Sequence, residues 1–129
     1  MAKDPYYFTH DANAVNDPKI QAMMEQYGVA GYGMFWIIVE RLRNESGYKL
    51  SDKLYNWQSL AKQMQCKDFH VQQFVQDCID KYDLFMKEDG FFYSPALLKR
   101  MVHLDNVRDQ RKRAAEAMHA KRREKEEQW

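Results

Sequence analysis

The 129-residue chain has little of what several large protein classes require. Its two cysteines, Cys66 and Cys78, are too few and too widely spaced for a disulfide scaffold or a cysteine-rich zinc site. The longest uninterrupted apolar run, Met34 to Val39, is far shorter than the ~20 residues that a membrane-spanning helix needs. The N-terminal stretch MAKDPYYFTHD has no apolar segment of the secretory type. We therefore expect a soluble, cytoplasmic protein with no membrane partner.

Net charge is also small, at +1, but basic residues are concentrated at the C-terminal end. Residues 1–98 contain 10 Lys/Arg and 13 Asp/Glu, a balance of −3. Residues 99–129 contain 10 Lys/Arg and 6 Asp/Glu, a balance of +4. Such an end is typical of an arm that binds nucleic acid, and it is also compatible with a solvated charged helix.

Two short motifs mark the starts of helices. Asp17-Pro18 and Ser94-Pro95 each place a capping side chain before a proline. Proline suits the first helical position because its missing N–H is not needed there. These motifs predict a first helix near residue 18 and a last helix near residue 95, the latter extending into the basic segment.

Apolar residues at helical spacing predict three further helices between these points. Gly28 ends the first helix, and the second runs from about Gly31 to Ser46. The first turns of this second helix are apolar on every side, which predicts a buried central helix. The third helix follows a cap at residue 51 or 52, and the fourth follows a cap at Asp68.

Strand signals complete the pattern. YKLS, residues 48–51, alternates like a short strand, and DLFMKEDGFFYS, residues 83–94, places aromatic-rich runs on either side of Asp89-Gly90. Asp-Gly between such runs is a strong hairpin signal. The order of elements predicts a mainly α protein: a winged helix-turn-helix with an extra N-terminal helix, a small β-hairpin wing and a long basic C-terminal helix. We place the winged-helix domain at residues 1–104 and the basic helical extension at residues 105–129.

Three glycines, Gly28, Gly31 and Gly33, lie within six positions of the segment GVAGYGMFWIIV. A dinucleotide fingerprint needs G-x-G-x-x-G after a strand, whereas this G-x-x-G-x-G follows a predicted helix, and no P-loop lysine follows it. We interpret Gly28 as a helix end. Gly31 and Gly33 are predicted to let the next helix begin close against its neighbours.

No motif indicates catalysis. His10-Asp11 is a dipeptide of metal-dependent phosphohydrolases, but the further His and Asp ligands of such sites are not recognisable, and we interpret the segment FTHDANAVND as one that caps helices. If the central helix is enclosed, Glu40 needs a partner, which could be Lys19, His10 or Arg43. A lone carboxylate without a nucleophile or a second acid has little to catalyse with. We expect a non-enzymatic protein with no cofactor, metal or small-molecule substrate.

Four segments together carry a resemblance to a known family: YYFTHDANAVNDPKI, YGVAGYGMFWIIVERLRNESGYKLS, LYNWQSLAKQM and DCIDKYDLFMKEDGFFYSPALLKRM. In this order they resemble the N-terminal domain of phage-type replisome organisers, replication-initiation proteins related to the DnaD-like primosome proteins. The resemblance covers roughly residues 5–104. It implies a phage or prophage protein, in a bacterial host, whose winged-helix domain binds double-stranded DNA at a replication origin or assembles the initiation complex. A helicase loader or another replisome protein is the implied partner.

DNA contact is assigned by position in the predicted fold. The fourth helix occupies the recognition position, the hairpin is the wing, and the C-terminal helix offers cations for phosphates. Glutamine can read adenine edges in the major groove. The candidate DNA-binding residues are Lys67, His70, Gln72, Gln73, Gln76, Lys87, Arg108, Arg111, Lys112, Arg113, Lys121, Arg122 and Arg123. Against this assignment, Asp68, Asp77, Asp80 and Asp83 make the fourth helix acidic, mostly in the half that could point away from a duplex.

Protein–protein assembly is the competing class of function. The last helix could pair with a second copy through Leu97, Met101, Leu104 and Val107, and we expect a homo-oligomer. A module that oligomerises or binds a helicase loader without touching DNA is one alternative. A winged-helix transcriptional regulator is another.

Overall fold

The computed structural model describes residue 8 and residues 10–127. Its helices are α1 (Pro18–Arg43), α2 (Leu54–Met64), α3 (Asp68–Asp80) and α4 (Pro95–Glu127), and its strands are β1 (Lys49–Ser51), β2 (Met86–Glu88) and β3 (Phe91–Tyr93). Two 3-10 helices, Ala14–Asn16 and Ser46–Tyr48, precede α1 and β1. The predicted fourth helix is α3, because the first two predicted helices are joined in α1. The outermost parts of the predicted domains, residues 1–7, 9, 128 and 129, lie outside the described residues.

Helix α1 is interrupted at Gly28, where the sequence predicts a helix end. Its start is the predicted one: the Asp17 carboxylate accepts a hydrogen bond from the backbone N–H of Lys19 at 2.8 Å, and Pro18 is the first helical residue. Gly28 has φ +71° and ψ −166°, a conformation that is essentially limited to glycine. The break therefore depends on the residue type at this position.

The two glycines that follow differ from each other. A Cβ at position 31 would lie 2.5 Å from Cβ of Tyr27 and 2.8 Å from Sδ of Met23, so the predicted close approach at Gly31 is confirmed. A Cβ at position 33 would meet no described atom within 4 Å. The predicted close approach is therefore wrong for Gly33.

The second half of α1 supplies the centre of the core. Phe35, Ile38, Val39 and Leu42 are buried at helical spacing. The helix is not enclosed at Glu40, however, because this residue is exposed. Its carboxylate remains in water and needs no buried partner.

Helices α2 and α3 form a helix-turn-helix. Trp57 and Leu60 of α2 and Val71 and Phe74 of α3 are buried, and the two helices contact each other closely. Lys53 and Lys67 occupy the positions before the first helical residues, so the cap predicted at residue 51 or 52 for α2 and the cap predicted at Asp68 for α3 are both wrong.

The three strands form one antiparallel sheet with β3 in the centre. Leu50 of β1 pairs with Phe92, which also pairs with Lys87 of β2. The turn residues Asp89 and Gly90 have φ values of +51° and +78°, as a two-residue type I′ hairpin turn requires. The element order and the sheet give a mainly helical, winged-helix-like fold, which confirms the predicted fold class.

Helix α4 begins at the predicted cap, where the hydroxyl of Ser94 accepts a hydrogen bond from the backbone N–H of Leu97 at 3.2 Å. The chain divides into two compact units between Leu98 and Lys99, six residues before the predicted boundary at 104/105. Every residue from Asp109 to Lys125 is exposed. Within the described part of the chain, no helix is both long and apolar enough to cross a membrane.

Candidate nucleic-acid interface

The outer face of α3 carries the polar candidates that the sequence predicts. Val71, Phe74, Val75 and Cys78 bury the opposite face of the helix. The candidates on this helix and in the turn before it are all exposed: Lys67, His70, Gln72, Gln73 and Gln76. The structure therefore leaves all five predicted residues exposed to solvent, and Gln72, Gln73 and Gln76 share one face of the helix.

The same face carries Phe69, which was not among the predicted site residues. Its side chain is 60% exposed, and its ring centroid lies 4.3 Å from that of His70. Phe69 precedes Gln73 by four residues and Gln76 by seven, so the three share one helix face. The signal in the sequence is a large aromatic residue outside the apolar stripe of Val71 and its partners.

Asp77, one of the acids that the sequence places against DNA contact, is buried at 5% exposure. Its Oδ2 atom accepts hydrogen bonds from the hydroxyl of Tyr27 and from Nε2 of Gln26, the latter at 3.3 Å. Its Oδ1 atom accepts one from Nε2 of Gln73 at 3.0 Å and lies 3.8 Å from Nζ of Lys81. Asp77 therefore does not add its charge to the exposed surface of α3.

These contacts fix the ionisation state of the pair. Burial by itself raises the pKa of Asp77, but the hydrogen bonds from Tyr27 and Gln73, together with the charge of Lys81, outweigh it and hold the pKa below its usual value. Burial, followed by the hydrogen bond to Asp77, raises the pKa of the Tyr27 phenol. At neutral pH a carboxylate therefore faces a protonated phenol.

Two glutamine amides on the outer face of α3 are oriented by carboxylates. Gln73 donates to Asp77, and Gln76 donates to Oδ2 of Asp80 at 2.8 Å. An ionised carboxylate only accepts hydrogen bonds, so the nitrogen of each amide must face the acid. The Oε1 atom and the second N–H of each amide are left for other partners.

The hairpin candidate Lys87 is held by an ion pair. Its Nζ atom lies 3.2 Å from Oδ2 of Asp52, and both side chains are partly exposed. The backbone N–H of Asp52 donates to the carbonyl oxygen of Gly90 at 2.9 Å, which fixes Asp52 beneath the hairpin turn. Asp52, a predicted helix cap, thus contacts the hairpin instead.

A small cleft separates α3 from the hairpin. Lys87 and Asp52 line it on one side, and Gln72 and Gln76 line it on the other. Trp57 and Phe92, whose stacked rings lie 5.5 Å apart, are also among its lining residues. The structure therefore brings Lys87 together with two of the predicted residues of α3.

Five of the seven basic candidates of α4 lie toward one side of the helix axis. Arg111, Lys112, Arg113, Lys121, Arg122 and Arg123 are exposed, and Arg108 is half-buried. At 3.6 residues per turn, residues 108, 111, 112, 122 and 123 lie within an arc of about 120°. Asp105 lies at the edge of that arc, and Asp109 and Glu116 lie just outside it, where Asp109 pairs with Arg113 at 3.0 Å. The helix thus presents a basic face.

The predicted self-association stripe is partly buried in the single chain. Leu97 and Met101 are each 1% exposed, and Leu104 and Val107 are half-buried. Leu104 and Val107 are therefore the members of the stripe with surface left for a second copy. Self-association through α4 remains a prediction.

The N-terminal segment makes the local contacts expected of capping residues. The Asp11 carboxylate accepts a hydrogen bond from the backbone N–H of Asn13 at 2.9 Å. The His10 ring stacks on Trp36 with 3.8 Å between centroids. Among the described residues, no group of three or more His, Cys, Asp or Glu side chains is placed to hold a metal ion.

Comparison with known proteins gives one match. Residues 7–97 match the model of a family described as Lin1244/Lin1753-like, N-terminal. This range extends from the N-terminal segment through the sheet to the first turn of α4. Neither a search of curated proteins nor a search of solved structures found a match.

Proposed function

This chain belongs to the Lin1244/Lin1753-like N-terminal family, and we propose that it binds double-stranded DNA as a replication-initiation protein of the phage or prophage type. The binding positions partner proteins at an origin and involves no bond chemistry. Self-association or contact with a helicase loader is proposed as a coupled role.

The observation that carries the proposal is the exposed polar face of α3 beside the hairpin. The major groove of B-DNA admits an α-helix, and a winged helix inserts the second helix of its helix-turn-helix there. Lys67, Gln72 and Gln76 lie on the surface that such docking would use. Lys87 of the hairpin lies across the cleft from Gln72 and Gln76, where a phosphate could be reached.

The basic face of α4 supports the proposal independently. Exposed arginines and lysines on one side of a helix can neutralise a row of phosphates and release their counterions. If about four to seven phosphates are neutralised, the slope of log affinity against log salt is roughly −4 to −6. The acidic residues beside the basic face would stay in solvent.

A salt titration tests the proposal. Binding of the full chain to a labelled duplex is measured by fluorescence anisotropy at several salt concentrations. The variant Arg111→Gln with Lys112→Gln should bind more weakly, with a slope reduced in magnitude by about 2. The matched control, Lys62→Gln with Lys99→Gln, removes two exposed lysines outside the basic face and should leave the slope unchanged.

Full-chain protein that shows no salt-dependent binding would overturn DNA contact. Light scattering on the same protein then tests the assembly alternative, in which Leu104 and Val107 contact a second copy. Equal slopes for the basic-face variant and the lysine control would exclude α4 from the interface while leaving α3 and the hairpin in place.

A further inference from the structure

We infer that α3 reads A·T base pairs, with Phe69 against the 5-methyl group of thymine and Gln73 and Gln76 against the major-groove edge of adenine. The inference rests on the proposed function and adds which base pairs the helix selects. It is based on one exposed aromatic ring and on two side-chain amides that are each hydrogen-bonded to a carboxylate.

Phe69 has no role in the core of the domain. Its ring is 60% exposed on the outer face of α3, while the helix packs through Val71, Phe74 and Cys78. An apolar ring among hydrogen-bonding side chains costs solvation free energy unless a ligand covers it. In the major groove the apolar group available for such contact is the thymine methyl.

Gln73 and Gln76 are prepared for adenine by the carboxylates behind them. Bidentate recognition of adenine needs an oxygen that accepts from N6–H and a nitrogen that donates to N7. Asp77 and Asp80 each accept one N–H of an amide, at 3.0 and 2.8 Å, and the remaining N–H forms this pair with Oε1 when it lies on the same side of the amide as Oε1. Holding the amides in place before binding lowers the entropy lost on contact.

The spacing of the three side chains fits successive base pairs. Residues 69, 73 and 76 lie within an arc of about 60° and span about 10 Å along the helix axis. This length corresponds to about three base-pair steps at roughly 3.4 Å each. One helix face can therefore contact several neighbouring base pairs.

The charges of α3 favour entry of its N-terminal half. Lys67 precedes the helix, and Asp77 is withdrawn from the surface by burial. Asp68 is half-buried, with Oδ1 bonded to the backbone N–H of Phe69 at 2.8 Å. The first fully exposed acid within the helix is Asp80, near its C-terminal end, where its carboxylate accepts from Gln76 and therefore lies at the edge of a groove that receives Gln76.

Single-atom changes in the DNA test the inference with the full chain. An A·T-rich duplex is compared with a G·C-rich duplex of equal length, with a copy in which uracil replaces thymine, and with a copy containing 7-deazaadenine. Uracil removes only the methyl group, and 7-deazaadenine removes only the N7 acceptor. We expect the A·T-rich duplex to bind about tenfold more tightly than the G·C-rich one, and each modified copy to bind several-fold more weakly than its parent.

Protein variants assign each effect to a side chain. Phe69→Ala should abolish the uracil effect and keep the 7-deazaadenine effect. Gln76→Ala, which removes a side chain hydrogen-bonded to the exposed Asp80, should reduce the 7-deazaadenine effect. The matched control Tyr55→Ala removes another exposed aromatic, 65% exposed on α2, and should keep both effects. Thermal unfolding of each variant confirms that it is folded.

The outcomes separate this inference from the proposed function. Equal, salt-dependent binding to the A·T-rich and G·C-rich duplexes would overturn A·T reading and leave DNA binding in place. A uracil effect that persists in Phe69→Ala would show that Phe69 does not contact the thymine methyl group. Its exposed ring would then be available to a protein partner. Failure of the full chain to bind any duplex would overturn both.

Discussion

The hydroxyl of Tyr27 donates a hydrogen bond to Oδ2 of the buried carboxylate of Asp77. This bond joins the residue before the break in α1 to the C-terminal half of α3. The other carboxylate oxygen of Asp77 orients Gln73 on the outer face of the same helix. A single buried acid therefore links the packing of α3 to its exposed surface.

Removing the phenolic hydroxyl should destabilise the domain. Tyr27→Phe leaves a buried charge with one donor fewer, and we expect a loss of about 1–3 kcal/mol in the free energy of unfolding. Tyr55→Phe removes the hydroxyl of an exposed tyrosine and should change stability by less than about 0.5 kcal/mol. Urea unfolding at pH 7 measures both, and equal stability of the two variants would contradict a stabilising role for the Tyr27–Asp77 bond.

Stability should fall at both extremes of pH because of this pair. The pKa of Asp77 is lowered in the folded protein, so its contribution is present above the unfolded carboxyl value, about 3.9, and is lost as the pH falls through the folded value. The pKa of Tyr27 is raised, so its contribution is complete below the unfolded phenol value, about 10, and is lost as the pH rises beyond it. Urea unfolding from pH 3 to pH 11 measures the loss of stability at low pH (the acid limb) and at high pH (the alkaline limb).

Two variants separate the limbs. Asp77→Asn should be less stable at pH 7 and should lose less further stability between pH 5 and pH 3 than the natural chain, because its side chain cannot titrate. Tyr27→Phe should lose less stability above pH 10. An acid limb of unchanged size in Asp77→Asn would mean that other carboxylates produce it.

Local signals in the sequence are sufficient to predict much of the fold. The caps at Asp17 and Ser94 and the Asp89-Gly90 turn each act over a few residues, so the sequence specifies them directly. The buried position of Asp77 could not be predicted in this way. Its hydrogen-bond partners Gln26 and Tyr27 are 51 and 50 residues away in the chain. The burial of an aspartate on a polar helix can therefore be recognised only when the packing of α1 on α3 is known.

The candidate site likewise contains residues whose positions the sequence predicts and contacts that it does not predict. Helical spacing alone places Gln72, Gln73 and Gln76 on the outside of α3, where the structure has them. The ion pair between Lys87 and Asp52 joins the hairpin to the end of β1, and only the sheet pairing brings these two side chains together. Phe69 lies outside the apolar stripe of Val71 and Phe74, and this position is the signal in the sequence for its exposure.

The three glycines of α1 should respond differently to substitution by alanine. Gly28→Ala forces a side chain into a backbone conformation with φ +71° and should cost about 1–3 kcal/mol. Gly31→Ala places a Cβ 2.5 Å from that of Tyr27 and should cost a similar amount, about 1–3 kcal/mol, through overpacking. Gly33→Ala meets open space in a helix and should stabilise the protein by about 0.5–1 kcal/mol.

Thermal and urea unfolding of the three variants provides the measurement, with Gly33→Ala serving as the internal control. A destabilised Gly33→Ala variant would show that the surface around position 33 is covered by something other than solvent. Retained stability in Gly31→Ala would mean that Tyr27 and Met23 can move aside.

The ion pair between Asp52 and Lys87 should restrain DNA binding. A surface pair of this kind contributes at most about 1 kcal/mol to stability, so its removal should not unfold the domain. Asp52→Asn releases the Lys87 ammonium for a phosphate, and we expect affinity for a duplex to rise several-fold, with a salt slope steeper by about 1. Lys87→Gln should lower the affinity, and the double variant should match Lys87→Gln alone, because Asp52 acts through Lys87.

Asp89→Asn is the matched control, because it removes another exposed carboxylate of the same hairpin and so measures the general effect of charge. If Asp89→Asn raises the affinity as much as Asp52→Asn does, the restraint is the overall negative charge of the hairpin and not the pairing of Lys87.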